Sequence, residues 1–259
     1  TALVSFSDNC GATISQSPMA GTILSGHNTT QDVTFTVADT SGNSVTCSMT
    51  VTLVDDENPT IDCSAIVTAR NTDPGVCTFT MPGIGFDPTF DDNCVATIEN
   101  DYNNAASLAG ETFPLGSTTV VWTATDENGN TASCTIVIEV SDNEDPTINS
   151  CGPDVTIVTS SNGMGDCSGV IGDYTSSVDW TDNCTGASSS QAPAPGTTLS
   201  GSNGTTQTIT FTITDGSGNQ SSCSITATLA DDEDPIITGC NDITEINDFT
   251  ECGRSINLI

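Results

Sequence analysis

Acidic side chains gathered beside a proline occur at three places: Asp55-Asp56-Glu57-Asn58-Pro59-Thr60-Ile61, Asp142-Asn143-Glu144-Asp145-Pro146-Thr147-Ile148 and Asp231-Asp232-Glu233-Asp234-Pro235-Ile236-Ile237. Each follows a strand-like alternation, with Ile136, Ile138 and Val140 before the second, and each precedes a cysteine: Cys63, Cys151 or Cys240. Negative charges a few ångströms apart repel one another unless a cation is shared between them. Hard oxygen donors without histidine select Ca²⁺ over transition metals, and a flexible set of carboxylates and amides suits its 6–8 ligands better than the octahedron of magnesium. The chemistry these residues offer is therefore cation binding.

Two further acidic motifs recur in step with the first. One is Asp-Asn-Cys, at Asp8-Asn9-Cys10, Asp92-Asn93-Cys94 and Asp182-Asn183-Cys184. The other is Asp-x-x-Gly-Asn-x-x-x-Cys, running from Asp39 to Cys47, Asp126 to Cys134 and Asp215 to Cys223. Corresponding cysteines lie 84 to 90 residues apart, a period close to 88. That is too long for a solenoid coil and fits a tandem array of small domains.

Within one period the pattern is all-β. Val33, Phe35 and Val37 alternate with polar residues, as do Ile209, Phe211 and Ile213, and Val51 and Leu53. The turns Ser41-Gly42-Asn43, Asn128-Gly129-Asn130 and Ser217-Gly218-Asn219 carry the residues that a tight hairpin needs. About seven short strands in ~88 residues predict tandem immunoglobulin-like β-sandwiches. The expected domains are 59–146 and 147–234, both complete, with an incomplete domain at each end: 1–58, without its first strands, and 235–259, which supplies such strands.

The Asp-Asn-Cys motif, the Phe-Pro-Leu-Gly-x-Thr-x-Val of Phe113 to Val120, the Thr-Ala-Thr-Asp-x-x-Gly-Asn after it and the closing Asp-x-Glu-x-Pro together resemble the hyalin repeat (HYR) module. The resemblance is strongest over residues 59–146; the outer repeats depart from it at Leu24-Ser25-Gly26 and Leu199-Ser200-Gly201. It implies an extracellular immunoglobulin-like module of adhesive or extended surface proteins, with no catalytic site.

In such a sandwich the second-to-third loop, the last hairpin and the amino-terminal entry share one end. This gathers Asp91, Asp92, Asn93, Asp126 and Asn128 with Asp55, Asp56 and Glu57. It gathers Asp182 and Asp215 with Asp142, Glu144 and Asp145, and Asp231, Asp232, Glu233 and Asp234 with Asp8 and Asp39 of a neighbour. The arrangement is similar in principle to the junction sites of cadherin-type repeats. Turns favour Asp and Asn for their own reasons, but recurrence of the whole constellation at three places favours a site.

The formal charge is −32, with two arginines (Arg70, Arg254), no lysine and one histidine. Nucleic acid and anionic membranes are excluded as partners, because little here could displace counterions from phosphate. No stretch approaches the ~18 apolar residues of a membrane span, and any secretion signal is expected to have been removed or to lie outside these residues. Disorder, the ordinary consequence of such acidity, conflicts with the regular alternation. An enzyme is not expected. His27 sits in a Gly-His-Asn loop, no base and orienter accompany a nucleophile, and Trp122 and Trp180 read as strand aromatics.

Twelve cysteines without a CxxC pair point to disulfides formed in an oxidising, extracellular compartment. The expected bridges are Cys63–Cys134 and Cys151–Cys223, joining the first and last strands of a domain, and Cys77–Cys94 and Cys167–Cys184, each pair 17 positions apart. Counting from Cys252 through Ile259 and on from Thr1 to Cys10 also gives 17 positions. Cys10 with Cys252, and Cys47 with Cys240, are then expected to pair between neighbouring units. The chain reads as the unit of a head-to-tail extracellular filament, joined by strand donation or as one period of a longer chain. Variable loops 102–108 and 188–195 leave an alternative, an adhesin for glycans or cell-surface proteins. Asn28, Asn183, Asn203 and Asn219 match the N-glycan acceptor pattern.

Overall fold

The computed structural model describes residues 4–163, 165–239, 242 and 244. Among the described residues the fold is all-β, apart from two single 3-10 turns at Thr159–Asn162 and Thr175–Ser177. The chain forms two compact units. The first holds the residues up to Asp145 together with Asp182–Ala187 and Asp215–Asn219; the second holds Pro146–Thr181, Ser188–Thr214 and the residues from Gln220.

The first unit opens with an antiparallel sheet of β1 (Ala12–Ser17), β2 (Thr30–Asp39) and β3 (Ser44–Thr52). It continues with the short strands β4 (Thr60–Asp62), β5 (Ala69–Asn71), β6 (Thr78–Thr80) and β7 (Thr89–Asp91). β8 (Ala96–Asn100), β9 (Thr112–Pro114) and the long hairpin β10 (Gly116–Asp126) and β11 (Thr131–Ser141) complete it. β5-β11-β10-β8 make one sheet, and β4-β7 and β6-β9 are two-stranded ladders. Alternation along β10 buries Val120, Trp122 and Ala124, and Val120 and Trp122 share a core with Phe86, Leu108, Phe113 and Ile138. Arg70 lies against this core, its guanidinium carbon 4.8 Å from the Phe86 ring centroid and 5.8 Å from that of Phe79.

The second unit repeats the plan. β12 (Thr147–Ser150), β13 (Val155–Val158), β14 (Ser168–Val170) and β15 (Asp179–Thr181) are short. β16 (Ser188–Ala192), β17 (Thr198–Ser200), β18 (Thr206–Thr214) and β19 (Gln220–Ala230) follow. The main sheet is β13-β19-β18-β16, and Ile209, Phe211 and Ile213 are fully buried in its core with Ile171 and Leu229. In both units an early strand pairs in parallel with the last one, β5 with β11 and β13 with β19. Bridges Cys63–Cys134 and Cys151–Cys223 join each unit's early chain to that last strand.

The register exposes one difference in packing. Trp122 faces Cys134, Phe211 faces Cys223 and Phe35 faces Cys47, so the three aromatics are equivalent. Trp122 and Phe211 are fully buried, whereas no described residue before Asp55 is buried. Val45, Met49 and Val51 on β3 and Leu53 just after it are exposed, and β1-β2-β3 lacks a covering sheet among the described residues.

The expected Cys77–Cys94 and Cys167–Cys184 bridges are corrected. Cys77 is bonded to Cys184, with Cα atoms 4.8 Å apart, while Cys94 and Cys167 are free thiols. The constant spacing of 17 reflects a constant path through short strands and loops, and does not fix where the sulfurs point. The bridge forms because residues 182–187 belong to the first unit, where Asn183 Nδ2 donates to Val76 O at 3.4 Å beside Cys77. Cys10 and Cys47 are also free, and their expected partners Cys252 and Cys240 lie outside the described residues.

Phe211→Ala should lower stability by about 3–5 kcal/mol, as for any large buried aromatic. Phe35→Ala in the unassembled chain should cost about 1 kcal/mol. Urea unfolding of the two variants beside the parent checks this contrast.

Candidate metal centres

Two groups of three aspartates converge within the first unit. Asp55, Asp92 and Asp126 form one, and Asp142, Asp182 and Asp215 the other; in each, one oxygen per residue lies within 4.8 Å of the others. Each aspartate is held by a tight turn that points it at its group. Asp55 Oδ1 accepts from Glu57 N at 3.2 Å, and Asp142 Oδ1 from Glu144 N at 3.1 Å. Asp92 Oδ2 accepts from Cys94 N at 2.9 Å, and Asp182 Oδ2 from Cys184 N at 3.2 Å. Asp126 Oδ1 accepts from Asn128 N at 2.9 Å and Asn130 N at 2.8 Å, and Asp215 Oδ1 from Ser217 N at 2.9 Å and Asn219 N at 2.7 Å. The glycines of these last turns, Gly129 and Gly218, have φ of 91° and 97°, a left-handed conformation that glycine adopts without a Cβ clash.

Asparagines tie the turns together. Asn93 Nδ2 donates to Asp55 Oδ1 at 3.3 Å and Glu57 Oε2 at 3.1 Å; Asn183 Nδ2 donates to Asp142 Oδ1 at 3.1 Å. Asn130 Nδ2 reaches Glu57 O at 3.2 Å, Asn219 Nδ2 reaches Asp142 O at 3.2 Å, and Asn128 Nδ2 donates to Asp55 O.

What remains is a set of oxygens without donors. Asp55 Oδ2, Asp92 Oδ1, Asp142 Oδ2, Asp182 Oδ1 and Asn183 Oδ1 are buried and have no hydrogen-bond partner. Asp55, Asp126, Asp142 and Asp215 are each only 6–7% exposed. Leaving a buried carboxylate oxygen unsatisfied is costly. An all-oxygen, multiply anionic set of this kind fits a divalent cation of the calcium type.

The electrostatics agree. The neighbouring Cys94 thiol and then Glu57 N–H hold Asp55 below its ordinary pKa, although the thiol, a weak donor, leaves Oδ2 without a formed hydrogen bond. The same proximity raises the Cys94 thiol. Burial works against ionisation of Asp126 and Asp215, but the hydrogen bonds from Asn130 and Asn219 outweigh it, and both pKa values are lowered. Asp182 is raised, by burial first and by the charges of Asp215, Asp142 and Glu144.

The other expected ligands fall at the edges or elsewhere. Asp56, Asp91 and Asp145 are exposed, and Asp91 belongs to the β7 ladder. Glu144 Oε2 accepts from Gly75 N at 2.8 Å. Asp232 accepts from Ser160 N at 3.0 Å, and Asp231, Glu233 and Asp234 are exposed in the second unit. Asp8 and Asp39 lie in the first unit, in turns like those of Asp92 and Asp126. Asn130 and Asn219, expected only as hairpin residues and Asn219 also as a glycan acceptor, belong to these groups, as do Thr72, which no motif marks, and His27, expected as a plain loop residue. His27 Nδ1 accepts from Asp55 N at 3.2 Å, and Thr72 Oγ1 donates to Asp142 Oδ1 at 3.4 Å. The repeated Gly-Asn was the available signal for the two asparagines. Asn183 and Asn219, expected as glycan acceptors, use their amide nitrogens inside the second group, while Asn28 and Asn203 are exposed.

Residues 54–140 match the family model of the HYR domain, and that segment is an HYR domain. Among solved structures the chain is similar to Protocadherin Gamma B2 extracellular cadherin domains 1-5, at 13% identity and a TM-score of 0.35, covering 79% of this chain and 46% of that one. It is also similar to human CDH23 EC21-23 (16% identity, TM-score 0.38, covering 77% and 74%) and to mouse Cadherin-23 EC22-24 (15%, 0.36, 77% and 74%). No curated protein matches the chain. No helix among the described residues is long and apolar enough to cross a membrane.

The raised Asp182 carboxyl carries a definite sign. Its proton is bound more tightly in the folded chain, so its contribution to stability is present below the carboxylate range and lost as pH rises through its folded pKa. Asp215 is depressed and behaves oppositely, contributing above the unfolded value and losing that contribution as pH falls. In chelator at neutral pH, Asp182→Asn should raise Tm by roughly 1–3 °C and Asp215→Asn should lower it. Both differences should shrink in acid, as thermal scans across pH would show.

Proposed function

We propose that this chain is a structural array of extracellular repeats whose successive repeats are tied by calcium at the two aspartate groups. The observation that carries the proposal is the pair of buried groups with orphaned oxygens, each built from three turns. Asp142 closes the second sequence repeat, while Asp182 and Asp215 come from the third. A cation among them therefore fastens one repeat to the next. Calcium suits the site because ligands in excess of the three carboxylates are at hand as amide and carbonyl oxygens, Asn183 Oδ1 among them. Three disulfides fit an oxidising, extracellular setting.

The finer reading is a filament. Copies join head to tail, with the segment 235–259 of one copy covering the apolar face of β1-β2-β3 in the next. The exposed Val45, Met49, Val51 and Leu53 support this, since equivalent faces elsewhere in the chain are covered. Asp231 of one copy then meets Asp8 and Asp39 of another. Asn28 and Asn203 are the acceptor positions left open to a glycan.

At one hundred times its Kd a ligand that binds only the folded chain adds about 2.7 kcal/mol, roughly 5–10 °C in Tm for a unit of this size. Millimolar calcium should raise Tm by this order and EDTA should reverse it. Calorimetric titration should lose one class of site in Asp126→Asn and another in Asp215→Asn. An unchanged melting curve in EDTA overturns the calcium reading, and electron micrographs of calcium-loaded protein without fibres overturn the filament.

A further inference from the structure

In the first unit the loop carrying Asp182, Asn183 and Cys184 is seated in a defined receptor. Asn183 Nδ2 donates to Asp142 Oδ1 at 3.1 Å, Val76 O at 3.4 Å and Thr72 Oγ1 at 3.5 Å, and Cys184 is bonded to Cys77. The second unit contains the same receptor without a loop in it. Thr159 Oγ1 donates to Asp231 Oδ1 at 3.3 Å, as Thr72 Oγ1 does to Asp142 Oδ1 at 3.4 Å. Glu233 N donates to Asp231 Oδ1 at 3.2 Å, as Glu144 N does to Asp142 Oδ1 at 3.1 Å. Gly165 and Cys167 stand where Gly75 and Cys77 do, and with Asp231, Glu233 and Pro235 they line a cleft of about 440 Å³. Cys167 is an exposed free thiol.

The complementary loop also exists, with its turns already formed. Asp8 Oδ2 accepts from Cys10 N at 2.9 Å, the turn that Asp182 makes with Cys184. Asp39 accepts from Ser41 N, Asn43 N and Asn43 Nδ2 at 2.9, 2.9 and 2.7 Å, as Asp215 does from Ser217 and Asn219. Cys10 is an exposed free thiol too. Asp166 replaces Val76, but the acceptor there is a backbone carbonyl, so the change of side chain leaves it in place.

We infer that the cleft beside Cys167 receives the Asp8-Asn9-Cys10 loop of a second copy of this chain, and that a Cys167–Cys10 disulfide fixes the contact covalently. This rests on the head-to-tail reading above and replaces the expectation that Cys10 pairs with Cys252. Forming the bond removes a proton and an electron from each thiol. A disulfide oxidant, such as oxidised glutathione or an oxidoreductase, takes both electrons and both protons and leaves as two thiols. Seating the loop brings Asp8 and Asp39 against Asp231 and Glu233, so contact requires a divalent cation to offset the repulsion.

The test mixes equal amounts of unlabelled and ¹⁵N-labelled chain with oxidised glutathione, in calcium or in EDTA. Non-reduced protein is then digested with an aspartate-specific protease and its linked peptides are weighed. A ladder on a gel would not discriminate, since Cys47 and Cys94 are free for other links. In calcium, a Cys10–Cys167 peptide pair should appear with about half of it isotopically mixed, and its yield should fall several-fold in EDTA. In Cys167→Ser, Cys10 should become open to alkylation while Cys77–Cys184 persists, which reports that the fold is intact. Recovery of Cys167 as an alkylated thiol, bonded to another cysteine, or bonded to Cys10 only in isotopically uniform pairs overturns the inference. The calcium reading is judged separately, by loss of binding in Asp126→Asn and Asp215→Asn. Calcium bound at those sites with Cys167 left free sinks this inference alone.

Discussion

Like charges brought together and deprived of water are the constraint on which the structure turns. The sequence holds 34 acidic residues against two arginines and no lysine, so side chains of opposite sign cannot neutralise the aspartate groups. Arg70 is committed to the faces of Phe79 and Phe86. The remedy built into the chain is partial. Backbone N–H groups and asparagine amides occupy both oxygens of Asp126 and Asp215, but only one oxygen each of Asp55, Asp92, Asp142 and Asp182, whose other oxygen is left free. Such a turn fixes the direction of the acid as well as its charge state. A ligand entering the group therefore meets oxygens already aimed, with little ordering left to be done.

The division of labour between acid and amide follows from this. Had Asn93, Asn130, Asn183 and Asn219 been aspartates, each group would gain charge and lose the donors that bind one turn to the next. The amide nitrogens reach carbonyl or carboxylate oxygens of the loop that closes the preceding repeat. Asn130 and Asn219 thus serve the hairpin and the site at once, and Asn93 and Asn183 serve the Asp-Asn-Cys loop and the site. A turn with so many duties tolerates few replacements, whereas the strands behind it need only keep their apolar side inward.

Much of this was legible in the residues themselves. Alternation along 33–37 and 209–213 gave the strands, and the three recurring acidic motifs gave the two aspartate groups, because a carboxylate in a tight turn is directed by local backbone. Disulfide wiring was less legible. Cys63 and Cys151, just beyond β4 and β12, each bond to the last strand of their own repeat, as the placement of the first and last cysteines suggests. Cys77 instead bonds to Cys184, 107 positions away, because a loop of the next sequence repeat is drawn into the first unit. No local spacing encodes that. His27 escaped notice for a similar reason, since its value lies in accepting one N–H of Asp55 across a gap of 28 residues.

The disulfides also decide what happens when the chain is pulled. Between Cys63 and Cys223 the shortest covalent path runs through the Cys63–Cys134 bridge, the 17 positions from Cys134 to Cys151 and the Cys151–Cys223 bridge. Those positions span about 60 Å when extended, against roughly 540 Å for the 160 positions from Cys63 to Cys223. The difference is held in reserve as slack. Length under load then depends on whether these sulfur links are reduced, and less on how well the hydrophobic interior is packed.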